Sequence, residues 1–249
     1  MFMVNESPFE CAGARGVRWG AVPDSLAAQL GPWLGGVVPP QARVLKPDTV
    51  WQIGALCVKR FAPPRSLRDR LRDFPALRAA RLHFTLLPAR TPQSLAALDG
   101  GRRGSLLVCE FVSGVLLQQA WSTDARSRAA LAPFMATLNR HGWFHGDLHA
   151  HNMIWNGGEW VLLDLDGVRP RLHALLKRRR IEHQWARLAI ALVEYDGVRG
   201  SFESYLEGMK LGWPRDEAWR RITARAAALA PQWDPRRFAD RASHDRPEA

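Results

Sequence analysis

The run His145-Gly146-Asp147-Leu148-His149-Ala150-His151-Asn152 sets a carboxylate, Asp147, five residues before a side-chain amide, Asn152. It reads as a loop. Twelve residues beyond Asn152, the segment Val161-Leu162-Leu163-Asp164-Leu165-Asp166-Gly167 places a second carboxylate, Asp164, at the end of an apolar strand. A charge at that place stands at a strand tip and not in a core. One carboxylate in such a set can accept or orient a nucleophile's proton. The other, with an amide oxygen, offers the hard oxygen ligands that Mg²⁺ takes. Cations held in this way bridge phosphate oxygens and offset their charge, so the chemistry that fits is phosphoryl transfer. His145 reads as a brace for the loop. His149 and His151 stand two residues apart without a third convergent ligand, a poor basis for zinc.

The elements that must position these groups are legible in outline. Residues 1–40 read as a loosely structured, Gly- and Pro-rich lead-in with a short helix near Ser25–Leu34. Arg43–Ile53 and Leu56–Phe61, separated by Gly54, read as a β-hairpin closed by Pro63-Pro64. Residues 66–87 have helical apolar spacing divided at Pro75, and Ser105–Val112 is a buried strand by its apolar run. Beyond that the pattern turns helical: Arg126–Arg140, 173–195, 200–211 and a helix starting at Pro214, with short strands Met153–Trp155 and Trp160–Leu163 around Asn156-Gly157-Gly158. The expected division is 1–112, with a 1–40 extension and a β-rich part at 41–112, followed by 113–249 with the loop 145–152 and the segment 164–167. The fold class is therefore α+β.

Composition bounds the rest. The chain has 249 residues, enough for a real core, and a formal net charge of +11. Only Lys46, Lys59, Lys177 and Lys210 are lysines, so the excess is arginine, whose fork suits phosphate and carboxylate. Lys177-Arg178-Arg179-Arg180 reads as a solvated helix face or as a patch for anionic headgroups or phosphates. Three scattered cysteines make a disulfide framework or zinc cluster a poor fit. No apolar run approaches a membrane span, and Met1–Glu10 lacks a basic signal-peptide start, so a cytoplasmic protein is expected. Most of the eleven tryptophans read as core, with Trp33, Trp121 and Trp213 as candidates for an interfacial belt.

The order of these features resembles the eukaryotic-protein-kinase-like superfamily. H-x-D-x-x-x-x-N is its catalytic-loop spacing, and an acid at a strand tip follows. Upstream come the strand Val58-Lys59-Arg60-Phe61 and the hinge-like Glu110-Phe111-Val112-Ser113-Gly114. Within the superfamily the sequence is similar to the bacterial lipopolysaccharide kinases, which phosphorylate Kdo (3-deoxy-manno-octulosonic acid) or heptose of the inner core. Residues 43–167 carry that likeness, with Leu77–Leu87, Thr91-Pro92 and LLDLDG, and Ser201–Gly208 adds to it more faintly.

The resemblance implies a bilobal protein-kinase-like fold with a β-rich N-lobe and a small helical C-lobe. It implies ATP and Mg²⁺ as cofactors and a core sugar as acceptor. Lys59 would bind the α- and β-phosphates, and the Glu110 carbonyl and Val112 amide would bind adenine. Asp147 would orient the sugar hydroxyl, Asn152 and Asp164 would hold Mg²⁺, and His149 would face the γ-phosphate. Peripheral contact with the anionic cytoplasmic face of a bacterial inner membrane is expected, and nucleic acid is not. The departures are specific. Pro47-Asp48-Thr49-Val50-Trp51 replaces the glycine-rich loop, leaving it looser or dependent on Thr49. The helix that would give Lys59 a glutamate offers only Asp69 and Asp73. A kinase for another small molecule or a protein, and a non-catalytic pseudokinase, are the alternatives.

Overall fold

The computed structural model describes residues 6–11, 13–63, 73–85, 90–165, 168–169, 174–192 and 195–230. They form two compact units, drawn from Met1–Leu87 with Thr91–Val112 and from Pro88–Arg90 with Ser113–Ala249.

The first unit is a sheet of seven strands: β1 (Ser7–Cys11), β2 (Ala14–Arg18), β3 (Arg43–Lys46), β4 (Val50–Ile53), β5 (Leu56–Phe61), β6 (Ser94–Asp99) and β7 (Ser105–Glu110). Their spatial order is β1-β2-β6-β7-β5-β4-β3, and every pair is antiparallel. Strand β7 is central, which explains its unbroken apolar run: both faces are covered. Helix α1 (Asp24–Leu34) brings Leu30, Trp33 and Leu34 onto Val58, Ala96, Leu98, Leu106 and Val108. On the other face, helix α2 (Pro75–Thr85) packs Ala76, Leu77 and Ala80 on Phe61, Ala97 and Leu107. The period-two alternation of a strand divides the residues between these two clusters.

The lead-in is more ordered than its composition implies. Strands β1 and β2 form a hairpin, and β2 pairs with β6 from Arg15↔Asp99 to Arg18↔Ala96. Gly16 is needed there, since a Cβ on it would lie 1.9 Å from the Ala97 carbonyl oxygen. Pro8, Gly13 and the half-exposed pattern hid the hairpin from a reading that looks for apolar runs. The hairpin expected from Arg43–Ile53 and Leu56–Phe61 is present as β4–β5, but Arg43–Ile53 is not one strand: it turns at residues 47–49 and pairs with itself as β3 and β4. The short helix and the buried strand are present. Residues 64–72, where the first of the two expected Arg-rich helices falls, lie outside the described residues.

The second unit is mainly helical: α3 (Leu117–Thr123), α4 (Ala125–Arg140), α5 (Ala174–Leu192), α6 (Tyr195–Gly208) and α7 (Arg215–Leu229). The sequence reading had not separated α3. Asp124 caps α4, accepting from the Arg126 amide at 2.8 Å. Two small sheets complete the unit. Strand β10 (Met153–Trp155) pairs with β11 (Trp160–Leu162) and with β8 (Val115–Leu116), and β9 (Phe144–His145) pairs with β12 (Val168–Arg169). Trp33 and Trp121 are buried, 0% and 2% exposed, so neither belongs to an interfacial belt; their size suits the core better. No helix among the described residues is long and apolar enough to cross a membrane.

Candidate active site

The loop between β9 and β10 carries Asp147, His149 and Asn152, and backbone pairing fixes its ends. Val168 lies opposite His145 in the β9–β12 pair. The β10–β11 hairpin is anchored by its indoles: Trp155 Nε1 donates to Asp124 Oδ2 at 2.9 Å and Trp160 Nε1 donates to the Ser127 carbonyl at 3.0 Å. This hairpin leads directly into Leu163 and Asp164.

Inside the loop, side chains replace regular pairing. The His145 ring is fully buried. Its Nδ1 accepts from the Asp147 amide at 3.2 Å, which requires the proton on Nε2, and Nε2 donates to the Leu163 carbonyl at 3.1 Å. Burial holds His145 below the ordinary imidazole pKa, against the opposing pull of the Leu163 carbonyl, Asp164 and Asp147. The ring is therefore a neutral brace tying Asp147 to the residue before Asp164. A second tie runs beside it, because the Leu163 amide donates to the Asn152 carbonyl at 2.8 Å. Asn152 Nδ2 donates to the Asp147 carbonyl at 2.8 Å, which reserves the amide nitrogen for the loop and leaves the amide oxygen as the end able to meet a cation. The segments that carry Asp147, Asn152 and Asp164 are thus tied to one another by side-chain and backbone hydrogen bonds. Asp164 itself has φ +50°, a left-handed conformation that aspartate tolerates better than most residues.

The Asp147 carboxylate is half exposed and flanked by two nitrogens. His149 Nε2 lies 3.6 Å from Oδ2, and Arg187 Nη2 lies 3.5 Å from Oδ1. Arg187 was not found in the sequence. It belongs to α5, as does His183 one turn earlier, whose Nε2 donates to the Gly146 carbonyl at 3.0 Å. The i, i+4 pair was the only available signal, and nothing in it points to a loop 37 residues upstream. Burial, together with Arg187 and Arg225, keeps His183 below the usual histidine pKa. Among the described residues no group of three His, Cys, Asp or Glu side chains is gathered as metal ligands, and the rings of His149 and His151 lie 5.8 Å apart edge to face. Hard oxygens from Asn152 and Asp164 are the donor pair that fits Mg²⁺. Asp166 lies outside the described residues.

The first unit holds Lys59, Glu110 and Val112. Lys59 pairs with Val50 on one side and Leu107 on the other. Val58 faces α1, so Lys59 falls on the α2 face, where its Nζ lies 4.8 Å from the Phe61 ring centroid. His83 of α2 feels that charge. Burial first, and Lys59 in addition, push its pKa down to about 4, while Ser94 Oγ lies 2.8 Å from its Nδ1. Asp73 pairs with Arg81, as does Glu6. Strand β7 ends at Glu110, whose amide donates to the Gln93 carbonyl at 2.9 Å, and Val112 follows in irregular chain. The segment in place of a glycine-rich loop is not loose. Thr49 closes a tight turn through its amide to the Lys46 carbonyl at 3.2 Å and its hydroxyl to the Pro47 carbonyl at 3.1 Å, with Asp48 at φ +57°.

Residues 60–171 match the model of the phosphotransferase enzyme family known as APH. A 3-deoxy-D-manno-octulosonic acid kinase from Stenotrophomonas maltophilia (strain R551-3) is 30% identical over 166 residues, which are 62% of this chain and 64% of that one. A choline/ethanolamine kinase family protein from Mesorhizobium loti has a similar fold, with TM-score 0.50 and 14% identity over 91% of this chain and 92% of that one. A structure of WaaP in complex with acyl carrier protein aligns over 95% of this chain and 89% of that one, at TM-score 0.42 and 15% identity. Residues 60–171 are thus similar to that phosphotransferase family, and the fold, a β-rich unit followed by a helical one, is of the protein-kinase-like kind. The likeness to the 3-deoxy-D-manno-octulosonic acid kinase covers less than two thirds of either chain.

Proposed function

We propose that this chain is an ATP- and Mg²⁺-dependent kinase that phosphorylates a hydroxyl of Kdo in the lipopolysaccharide inner core. The observation that carries the reading is the interlocked loop, in which His145 and Asn152 tie Asp147 to the segment that ends in Asp164. The 30% identical Kdo kinase supports Kdo over heptose as the acceptor sugar.

In this reading Asp147 orients the acceptor hydroxyl and receives its proton, and Arg187 and His149 fix the carboxylate's direction. Asn152 and Asp164 hold Mg²⁺, which when bound offsets the charge of the phosphate oxygens. His149 reaches the γ-phosphate, Lys59 the α- and β-phosphates, and the Glu110 carbonyl and Val112 amide the adenine. Residues 1–112 serve as the nucleotide lobe and 113–249 as the helical lobe. The protein works on a lipid-linked acceptor at the cytoplasmic face of the inner membrane.

The test is transfer of the terminal phosphate of ATP to Kdo-bearing core lipopolysaccharide, with the product located by mass spectrometry. The expected result is phosphate on Kdo, lost on chelation of Mg²⁺ and lost in Asp164→Ala. Phosphate found on another sugar, on a protein or on an unrelated small molecule would replace the acceptor assignment. Absence of transfer to any acceptor, with no Mg²⁺-dependent nucleotide binding, would leave a non-catalytic protein.

A further inference from the structure

Within the Lys177–Arg180 run, the three arginines do not share one simple solvated face. Among the described residues Arg178 turns to Glu182 at 3.1 Å and Glu217 at 3.6 Å, and its guanidinium stacks 4.8 Å from the Trp213 ring centroid. Arg179 and Arg180 instead line a cavity of about 340 Å³ behind the catalytic loop. The backbone stretch Phe144–Gly146, which runs straight into Asp147, forms one wall. Helix α5 supplies Arg179, Arg180, His183 and Gln184, and α7 supplies Arg225.

The described lining contains no carboxylate. Elsewhere in this unit arginines find acids: Arg199 with Glu203 and Asp216, Arg215 with Glu207, Arg221 with Glu217. Arg179, Arg180 and Arg225 have no acidic partner among the described residues. Arg180 Nη1 is buried and lacks a hydrogen-bond acceptor there, although its guanidinium lies 5.8 Å from the Phe144 ring centroid. Burying a charged donor without an acceptor costs stability, as does gathering like charges.

Gln184 adds a neutral donor aimed by a buried network. Asn139 Nδ2 must face the Trp143 carbonyl, 2.8 Å away, and the same nitrogen donates to Gln184 Oε1 at 2.9 Å. Tyr205 donates its hydroxyl to Asn139 Oδ1 at 2.9 Å, which locks the amide from the other side. Gln184 therefore has its oxygen occupied, and its Nε2 is buried without an acceptor. A cavity with three guanidinium groups, an amide donor and no acid has the chemistry of an oxyanion site.

We propose that this cavity binds an anionic group, carboxylate or phosphate, carried by the acceptor, and so holds the acceptor beside Gly146, the residue before Asp147. The proposal rests on the kinase reading only for the identity of the ligand's carrier. The cavity's anion chemistry stands on the side chains alone. An acidic sugar offers a carboxylate, and a phosphorylated core offers a phosphate monoester.

The experiment is calorimetric titration of the full chain with inorganic phosphate and with free Kdo, for wild type, Arg180→Gln, Arg225→Gln and, as a control outside the cavity, Lys210→Gln. Melting curves confirm that each variant is folded, and the two arginine variants, on different helices, guard against misfolding of either one. Binding should weaken tenfold or more in both arginine variants and stay unchanged in Lys210→Gln. Stronger binding of Kdo names a carboxylate as the natural group, and stronger binding of phosphate names a phosphate. In turnover assays the arginine variants should raise the acceptor KM tenfold or more, with the ATP KM unchanged and kcat within threefold. Binding indifferent to both arginine substitutions overturns the site, and an unchanged acceptor KM overturns its assignment to the acceptor. A wild type that transfers no phosphate but loses anion binding in the two variants refutes the kinase reading and leaves the anion site standing.

Discussion

The two units position their candidate site residues by different physical means. In the helical unit, Asp147, Asn152 and Asp164 are held by contacts among their own segments. A buried neutral imidazole, an amide side chain and one backbone bond tie the loop to the strand tip. In the sheet unit, Lys59 is placed by strand register and by the face it occupies. The acid just ahead of α2, Asp73, pairs with Arg81 of that helix. The part proposed to hold the cation is thus a lock of interdependent hydrogen bonds, whereas the residue proposed to meet the nucleotide is a position on a sheet. Side-chain networks fail as units, whereas a residue set by register can be replaced without disturbing its neighbours.

The sharpest way to break this contrast is Asn152→Ala. It removes an oxygen proposed for the cation and the donor that holds the Asp147 carbonyl. Turnover should fall about a thousandfold, equivalent to about 4 kcal/mol of barrier, with a measurable drop in melting temperature. A loss of activity with no change in stability would show that the loop does not depend on that bond.

The next effect belongs to the sheet unit and is one of stability. The unfolded His83 ring takes up its proton near pH 6.5, and the folded ring only near pH 4. Between those values the unfolded chain binds more protons, so the contribution is complete above pH 6.5 and is lost as pH falls towards 4. It amounts to about 3 kcal/mol at most. Denaturant titrations should show His83→Gln with a visibly flatter decline over that window than wild type. Parallel declines would mean that His83 titrates normally.

Lys59→Ala comes third. It should raise the ATP KM ten- to a hundredfold and leave the melting temperature within a few degrees, as expected for a residue placed by register. A collapse of the fold would make Lys59 part of the sheet's core. Asp73→Ala should have the smallest effect: turnover within twofold, and stability within about 1 kcal/mol, the usual worth of an exposed ion pair. A large rise in ATP KM would instead make Asp73 the partner of Lys59.

What the sequence revealed follows the same division. The catalytic loop was legible because its chemistry sits in eight consecutive residues and one strand tip. The central strand β7 was legible because burial on both faces leaves an unbroken apolar run. The β1–β2 hairpin was not, since a half-exposed pair with Pro8 and Gly13 has the composition of a loop. Arg187, His183 and Gln184 were not, because a helix reaching back to a loop some 37 residues away leaves no local trace. Nor did the KRRR run disclose that Arg178 turns to acids while Arg180 turns to a cavity. That split is a property of helical phase and of what α7 brings beside it.

The central claim is that Asp147 acts on the acceptor hydroxyl. Its most direct test is steady-state kinetics of Asp147→Asn with ATP and Kdo-bearing core lipopolysaccharide. The side chain keeps its shape and loses its capacity to take a proton. The account predicts a kcat lower by 10²- to 10⁴-fold with ATP affinity unchanged. A variant whose kcat stays within threefold of wild type would contradict it.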